Sequence, residues 1–267
     1  MTREFQFYII PTPIGNIKDI TLRALEIMKE VDIIACEDSR VTQKLLNHYD
    51  IKTKTISYHK YNERERVSMM LNLLNSGKKI ALVSDAGTPL ICDPGSILLE
   101  ELRKNNISTT SLTGSCAVST FLSQVPRDTE EYTFVGFLPK SEKQIQELYN
   151  KYKSCNMVFY DSPNRLVKTL ELIEKVAPEI KVAVGRELTK MFEEIIIDKI
   201  DNVIRHFKGD VKGEIVAMTF AQTQSKNSEI KCKVEILKTK GFKSKEITEI
   251  LSSLYNFNKN DIKQLLY

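Results

Sequence analysis

The feature that most constrains this chain is a repeated alternation between short β-rich apolar runs and longer amphipathic stretches, which extends from residue 6 to about residue 220. Strands that alternate with helical patterns are typical of βαβ units and of a largely parallel sheet. The runs that fit strands are residues 7–10, 33–36, 55–58, 80–84, 109–112, 132–137, 157–160, 182–185, 194–198 and 215–220. The alternation therefore predicts an α/β fold.

Two interruptions divide the chain into three parts. Residues 123–131 lose all periodicity and collect Pro, Asp and charged residues, as an interdomain linker does, and a polar run follows Ala221. The strand at 194–198 follows its predecessor after a turn that leaves no room for a helix, so the second sheet is predicted to be mixed. We predict an N-terminal α/β domain with a parallel sheet, a C-terminal α/β domain with a mixed sheet, and a small basic helical appendage, at residues 1–123, 131–222 and 229–267.

Helix-start signals support several of the intervening helices. Asn62 and Ser141 each precede a Glu or Gln by three positions, which is the spacing of a capping box. Asp93 followed by Pro94 fits an N-cap with proline at the first helical position. We therefore expect helices to begin at these three places.

The positive charge of the chain is concentrated at its C-terminal end. The net charge is +4, and residues 226–267 alone hold nine Lys against four Glu and one Asp, so the preceding residues are neutral overall. Lysines at this density suit an RNA backbone, because each neutralises a phosphate and releases a counterion. A solvated helical surface would have the same composition, and the charge alone does not choose between the two.

The composition predicts a cytoplasmic protein without a metal site. No apolar run approaches the roughly 20 residues that cross a bilayer, and the first residues do not form a signal-peptide pattern. The five cysteines are scattered without a C-x-x-C pair, so we expect reduced thiols rather than disulfides or a zinc site. The three histidines also lack metal-binding spacing.

Chemistry is expected at the ends of the predicted strands. The motifs of P-loop nucleotidases, of the standard dinucleotide fold and of the serine-hydrolase elbow do not occur in the sequence. Ligands of open α/β sheets bind at the carboxyl ends of strands, although a tight turn alone would explain any single glycine there. The glycines at or near such ends are Gly15, Gly87, Gly95, Gly114, Gly136 and Gly185.

Eight short motifs resemble, in sequence order, those of one enzyme family. They are PTPIGN at 11–16, EDSR at 37–40, His59 with Asn62 and Glu63, SDAGTP at 84–89, DPG at 93–95, GFLP at 136–139, RELTK at 186–190 and KGE at 212–214. Over residues 6 to about 220 the chain resembles the type I methyltransferases of small-subunit ribosomal RNA, cytidine 2′-O-methyltransferases of the tetrapyrrole methylase superfamily.

The chain departs from this family's pattern in two places. Thr113 and Ser115 stand where the family usually has prolines on either side of a glycine. Asp161 and Asn164 stand where its Tyr-Glu-Ser-Pro-His-Arg motif has Glu and His, so we assign no base there.

The resemblance implies S-adenosylmethionine as the cofactor, folded into a cleft between the two domains and contacted from both. It also implies methyl transfer to the ribose 2′-oxygen of a cytidine in 16S ribosomal RNA near the decoding site, by a homodimer that acts on the RNA or on the small ribosomal subunit. The residues that match the family's cofactor contacts are Pro13, Asp85, Gly87, Cys116, Ala117, Phe137, Leu138, Glu187 and Gly213.

Methyl transfer to a hydroxyl needs a proton acceptor, because the enzyme must align the oxygen and remove its proton as the new bond forms. His59, Glu37 and Asp38 follow predicted strands and are the candidates. Arginines in turns can bind phosphate bidentately, and lysines of the basic C-terminal tail, residues 226–267, can extend such a surface. The candidates for RNA contact are Arg40, Arg186, Lys243 and Lys245.

Two other functions remain open on the sequence. A methyltransferase of tetrapyrroles or of a modified protein side chain would share the fold, although the pigment enzymes have different glycine-rich loops in place of PTPIGN and SDAGTP. A non-catalytic ribosome assembly protein would keep the basic tail and need no cofactor. A melting temperature raised by S-adenosylmethionine would favour an enzyme, because a ligand that binds the native state stabilises it.

Overall fold

The computed structural model describes residues 4–222, 226–255 and 257–266. Its first sheet has five parallel strands in the order β3-β2-β4-β1-β5. The strands are β1 (Phe7–Ile10), β2 (Ile33–Cys36), β3 (Lys54–Ser57), β4 (Ile80–Val83) and β5 (Thr109–Ser111). Each of the five predicted runs of the N-terminal half therefore forms a strand, within a residue or two of the expected bounds.

Helices cover both faces of the first sheet. They are α1 (Leu22–Glu30), α2 (Ser39–His48), α3 (Glu63–Asn75) and α4 (Ser96–Lys104), with α5 (Ala117–Leu122) after the last strand. Side chains of a strand alternate between faces, so Tyr8 and Ile10 pack with α1 and α2 while Phe7 and Ile9 pack with α3 and α4. The continuous apolar sequence of β1 reflects burial on both sides.

The second sheet is mixed and has the order β6-β7-β10-β8-β9. Its strands are β6 (Tyr132–Phe137), β7 (Asn156–Asp161), β8 (Lys181–Arg186), β9 (Glu194–Lys199) and β10 (Ile215–Thr219). β6 and β7 are parallel, whereas β10 is antiparallel to both of its neighbours and β9 is antiparallel to β8. The predicted fold class, with one parallel and one mixed sheet, is confirmed.

The two faces of the second sheet have different partners. One face packs against α6 (Glu142–Tyr152), α7 (Pro163–Glu174) and α8 (Ile200–His206). The other face packs against α5, whose Phe121 is fully buried, and against Ile14 from the loop after β1. Thus α5 precedes the linker in sequence but contributes to the core of the second sheet, and this packing joins the two halves.

Three helices follow the second sheet. They are α9 (Lys226–Thr239), α10 (Ser244–Tyr255) and α11 (Lys259–Leu266), and they share a small apolar core that includes Val234, Ile247 and Ile262. Part of the predicted polar boundary, residues 223–225, lies outside the described residues. Within the described ranges, no helix has the length and apolar character needed to cross a membrane.

The predicted helix starts are only partly right. Asn62 precedes α3 but makes no capping hydrogen bond, and the side chain of Ser141 makes none at α6. The prediction that Asp93 is an N-cap is wrong, because α4 begins at Ser96 and its N-cap is Gly95, which has a φ of 137°. Local spacing identified the region of each start but not the hydrogen bonds that the tertiary structure selects.

Candidate functional site

Two loops that the sequence singled out are hydrogen-bonded to each other at the carboxyl edge of the first sheet. The amide of Thr12 donates to the carbonyl of Gly87 and the amide of Gly87 donates to the carbonyl of Thr12, both at 2.9 Å. The hydroxyl of Thr12 donates to the carbonyl of Ser84, also at 2.9 Å. Gly87 has a φ of 80°, a conformation that glycine adopts at little cost. The PTPIGN and SDAGTP loops therefore form one connected wall.

The PTPIGN loop also contacts the loop that follows β8 in the second domain. The amide of Asn16 donates to the hydroxyl of Thr189 at 3.0 Å. A Cβ atom on Gly15 would lie 2.6 Å from Thr189 Oγ1 and 2.7 Å from the carbonyl oxygen of Leu188. This approach needs glycine, and it fixes one end of the gap between the domains.

A cavity of about 360 Å³ lies in this gap. Both domains supply its walls, which are mainly apolar. The lining residues are Ile14, Ala86, Gly87, Thr88, Ile91, Cys92, Asp93, Cys116, Ala117, Phe137, Tyr160, Asp161, Ser162, Pro163, Leu188, Gly213, Glu214, Ile215 and Val216. Its volume falls within the range of small-molecule and cofactor sites, which is roughly 300 to 1,000 Å³.

Five of the nine residues matched to cofactor contacts line this cavity: Gly87, Cys116, Ala117, Phe137 and Gly213. The other four lie outside the cavity lining. Asp85 accepts a hydrogen bond from the amide of Asp38 at 3.0 Å, and Leu138 is buried in the core of the second domain. Glu187 binds Lys190 Nζ at 2.7 Å and the amide of Glu214 at 2.9 Å, while Pro13 is half-buried in the PTPIGN loop.

The end of β7 and the residues that follow it form a part of the cavity wall that was not predicted from the sequence. Tyr160, Ser162 and Pro163 line the cavity, and burial raises the pKa of the Tyr160 hydroxyl well above its usual value. Asp161 is buried, and its carboxylate accepts hydrogen bonds from the hydroxyl of Thr169 and the amide of Ser162. The position of this motif at a strand end was the available signal.

Carboxylates gather beside the cavity because their strands are neighbours. Cys36 of β2 is in register with Ser57 of β3 and with Val83 of β4, so the residues that follow these positions meet at one edge. A small recess there is lined by Glu37 and Asp93 among others, and Asp93 also lines the main cavity. Burial, and then the charge of nearby carboxylates, raises the pKa of each of these two groups.

The three candidate proton acceptors have different surroundings. Asp38 caps α2 and is paired with Arg40 at 2.6 Å, and these contacts lower its pKa to about 2. Glu37 lines the recess and is electrostatically coupled to His59. In the described part of the chain, the Nδ1 atom of His59 is buried without a hydrogen-bond partner. Glu37 and His59 are therefore within electrostatic range of each other, whereas the Asp38 carboxylate is occupied by Arg40 and by the start of α2.

The candidate RNA contacts are dispersed. The Arg40 side chain is 87% exposed beside the recess. Arg186 is paired with Glu194 and donates to the carbonyl of Lys212 at 3.2 Å, which holds it within the second domain. Lys243 and Lys245 are exposed at the start of α10.

The model of the family Tetrapyrrole (Corrin/Porphyrin) Methylases matches residues 6–204 of the chain. The chain belongs to this family. The match begins just before β1 and ends within α8, so it includes every cavity-lining residue except those at 213–216. The resemblance on which the sequence prediction rested is confirmed.

Similar proteins in bacteria carry the name of a ribosomal RNA methyltransferase. The ribosomal RNA small subunit methyltransferase I of Hydrogenobaculum sp. (strain Y04AAS1) is 43% identical over 215 residues, which are 79% of this chain and 94% of that protein. The protein of the same name from Vibrio cholerae is 36% identical over 264 residues, 95% of this chain and 91% of the relative. The predicted enzyme class, a methyltransferase, is confirmed.

Solved structures of the family share the fold. A diphthine synthase superposes with a TM-score of 0.67 at 13% identity, covering 81% of this chain and 90% of its own. The uroporphyrin-III C-methyltransferase of Thermus thermophilus in complex with S-adenosylhomocysteine has a TM-score of 0.56 at 13% identity, covering 80% of this chain and 96% of its own.

Proposed function

We propose that this protein transfers a methyl group from S-adenosylmethionine to the ribose 2′-oxygen of a cytidine in 16S ribosomal RNA near the decoding site. The observation that carries the proposal is the cavity between the domains, walled by the joined PTPIGN and SDAGTP loops and flanked by the Glu37 recess. The relatives named as small-subunit RNA methyltransferases support this substrate. Methylation of a tetrapyrrole is the alternative reaction for the same cavity.

The cavity suits S-adenosylmethionine in shape and in charge. Apolar walls with a few polar groups can hold an adenosyl moiety, and the positive φ of Gly87 and Gly213 allows close approach of backbone to a ligand. Asp93, Asp85 and Glu37 repel one another, so a cationic sulfonium nearby would relieve that repulsion. When bound, the cofactor supplies a methyl carbon that its positive sulfur activates for attack.

The protein must align the ribose oxygen and accept its proton. We assign this work to Glu37 and His59, since Glu37 lines the recess with a raised pKa and the buried Nδ1 atom of His59 has no hydrogen-bond partner among the described residues. A general base works best when its pKa is close to the working pH, and burial of Glu37 moves its pKa in that direction. Asp38 is excluded from this role by its pairing with Arg40.

The RNA must lie across the exposed edge of this site. Arg40 stands at that edge, and Lys243 and Lys245 of the tail add charge at a separate place in the chain. We propose that these groups hold phosphates and that Arg186 acts indirectly, by holding the loop that contains Lys212. We also propose that the enzyme works in the cytoplasm as a homodimer.

The decisive assay is transfer from labelled S-adenosylmethionine to small ribosomal subunits that lack the modification, with mass spectrometry of the digested RNA. We expect 2′-O-methylcytidine as the product. Methyl transfer to uroporphyrinogen with none to RNA would replace this proposal by the tetrapyrrole reaction. A folded protein whose melting temperature does not respond to S-adenosylmethionine would point to the assembly protein instead.

The proton acceptor is tested with Glu37→Gln and His59→Ala. Each is expected to lower kcat by about 10²- to 10⁴-fold, the usual contribution of a general base. The matched control is Asp38→Asn, which removes a neighbouring carboxylate outside the proposed chemistry. If Asp38→Asn alone abolished transfer while the other two variants stayed active, the assignment would be wrong.

A further inference from the structure

The segment that connects β3 with α3 places an aromatic ring and two cations beside the Glu37 recess. Tyr58 lines the recess, His59 follows it, and Tyr61 lies edge-on to the His59 ring with a centroid distance of 6.1 Å. The Tyr61 ring therefore contacts His59, one of the two groups that we assign to proton transfer, on the segment that begins at the recess residue Tyr58. Its position, rather than its exposure alone, distinguishes this tyrosine.

The segment is held in place by its own hydrogen bonds. The side chain of Asn62 accepts from the amide of His59 at 2.8 Å and donates to the carbonyl of Ser57 at 3.2 Å. Below it, the buried hydroxyl of Tyr58 donates to Glu63 at 2.8 Å. These bonds explain why Asn62 is not free to cap α3, and they fix the turn that presents Tyr61.

Tyr61 contributes almost nothing to the protein core, since 95% of its surface is exposed. Lys60 and Arg64 flank it and are also exposed, and among the described residues neither forms an ion pair. An exposed aromatic ring on a well-defined turn, flanked by cations, is an arrangement with which proteins bind single-stranded nucleic acid, because bases stack on the ring and phosphates bind the cations.

We propose that Tyr61 is a stacking platform for an unpaired base of the RNA substrate, with Lys60 and Arg64 holding the adjoining phosphates. This inference rests on the proposed RNA substrate and adds a positioning residue to it. A base stacked on Tyr61 places its strand beside Glu37 and His59, so that a ribose of the same strand reaches the proton acceptor. Since every base has a stacking face, Tyr61 supplies position rather than choice of base.

The chain has no tryptophan, so Tyr61→Trp creates a single fluorescent reporter at the proposed platform. We expect a short cytidine-rich single-stranded RNA to quench this fluorescence saturably, and inorganic polyphosphate, which has charge but no bases, to leave it unchanged. Tyr132→Trp is the matched control. Tyr132 is 50% exposed and begins β6, about 16 Å along the strand from the cavity residue Phe137 at roughly 3.3 Å per residue.

Methylation kinetics give an independent readout. Base stacking on an aromatic side chain is generally worth about 1 to 3 kcal/mol, so Tyr61→Ala should raise KM for small subunits by about 5- to 150-fold while Tyr61→Phe keeps nearly wild-type KM. The melting temperature and S-adenosylmethionine affinity of both variants should match the wild type, because the ring packs on little but His59.

The outcomes separate this inference from the proposed function. Quenching at Tyr61→Trp without methyl transfer by the wild type would overturn the proposed reaction and retain the stacking site. Methyl transfer by the wild type, with no quenching at Tyr61→Trp and an unchanged KM for Tyr61→Ala, would overturn the stacking site and retain the reaction. Equal quenching at Tyr61→Trp and Tyr132→Trp would also refute it, because the effect would then be nonspecific.

Discussion

Gly213→Ala should damage both stability and cofactor binding, because two costs coincide at this position. Gly213 has a φ of 99°, and alanine in a left-handed conformation costs roughly 1 to 2 kcal/mol. The added Cβ would also lie 2.4 Å from Glu187 Cγ and 2.5 Å from its Oε1. The Glu187 side chain would therefore have to leave its present position.

Moving Glu187 breaks two hydrogen bonds to its Oε1. One comes from the amide of Glu214 at 2.9 Å, and bonds of this charged kind are worth about 1.5 to 3 kcal/mol. The other is the ion pair with Lys190 at 2.7 Å, whose side chain is 30% exposed, so solvent screening limits its worth to about 1 kcal/mol or less. Because the separated groups can partly re-solvate, we expect a total loss of about 2 to 4 kcal/mol in the free energy of unfolding.

Gly77→Ala is the matched control. Gly77 has a φ of 84° and no atom within 4 Å of its would-be Cβ, so it carries the backbone cost without the collision. Urea unfolding should show a loss of about 1 kcal/mol for Gly77→Ala and a clearly larger one for Gly213→Ala. Calorimetric titration with S-adenosylmethionine should show at least a tenfold loss of affinity for Gly213→Ala alone, since Gly213 lines the cavity. Equal destabilisation of the two variants with unchanged affinity in both would refute the reasoning.

Three further predictions concern the recess, the cavity and the tail. Because the pKa of Glu37 is raised in the folded protein, its ionised form destabilises the fold, and Glu37→Gln should raise Tm at pH 7 by an amount that vanishes below about pH 4. An unchanged Tm at pH 7 would contradict this. S-adenosylhomocysteine should slow alkylation of Cys92 and Cys116, measured by peptide mass spectrometry, but not that of Cys155 outside the cavity; equal protection of all three would argue against binding there. Deletion of residues 223–267 should leave S-adenosylmethionine affinity unchanged and make the slope of log K for RNA against log salt less steep, by roughly 0.7 to 0.9 for each phosphate that the tail neutralises. An identical slope for the shortened and the intact protein would show that the tail does not contact the RNA.

The strands could be predicted from the sequence because their signal is local. The apolar run of β1 and the aromatic and β-branched run of β6 are visible without any partner, and both strands form where expected. The role of Asn62 could not be predicted in this way. Its side chain fits a helix cap by spacing, but the carbonyl of Ser57 and the amide of His59 compete for it once β3 has its place in the sheet.

The cavity residues that could be picked out from the sequence are those in loop motifs. Gly87 and Gly213, which were singled out from their motifs, both line the cavity, since glycine-containing loops with a positive φ remain recognisable in sequence. Glu187 looked equivalent, yet it binds Lys190 and Glu214 because its loop turns back toward β10. Tyr160 was missed as a cavity residue because its contribution depends on two sheets meeting, and no local pattern encodes that distance.

The reciprocal hydrogen bonds between Thr12 and Gly87 have a consequence for how quickly the cavity exchanges its contents. A wall that is assembled before the ligand arrives costs little ordering entropy on binding. The association rate should then be set by diffusion through the opening. Variants of the PTPIGN and SDAGTP loops should therefore differ mainly in the dissociation rate of the bound cofactor. The residence time of the spent cofactor is therefore the quantity through which these two residues would act on turnover.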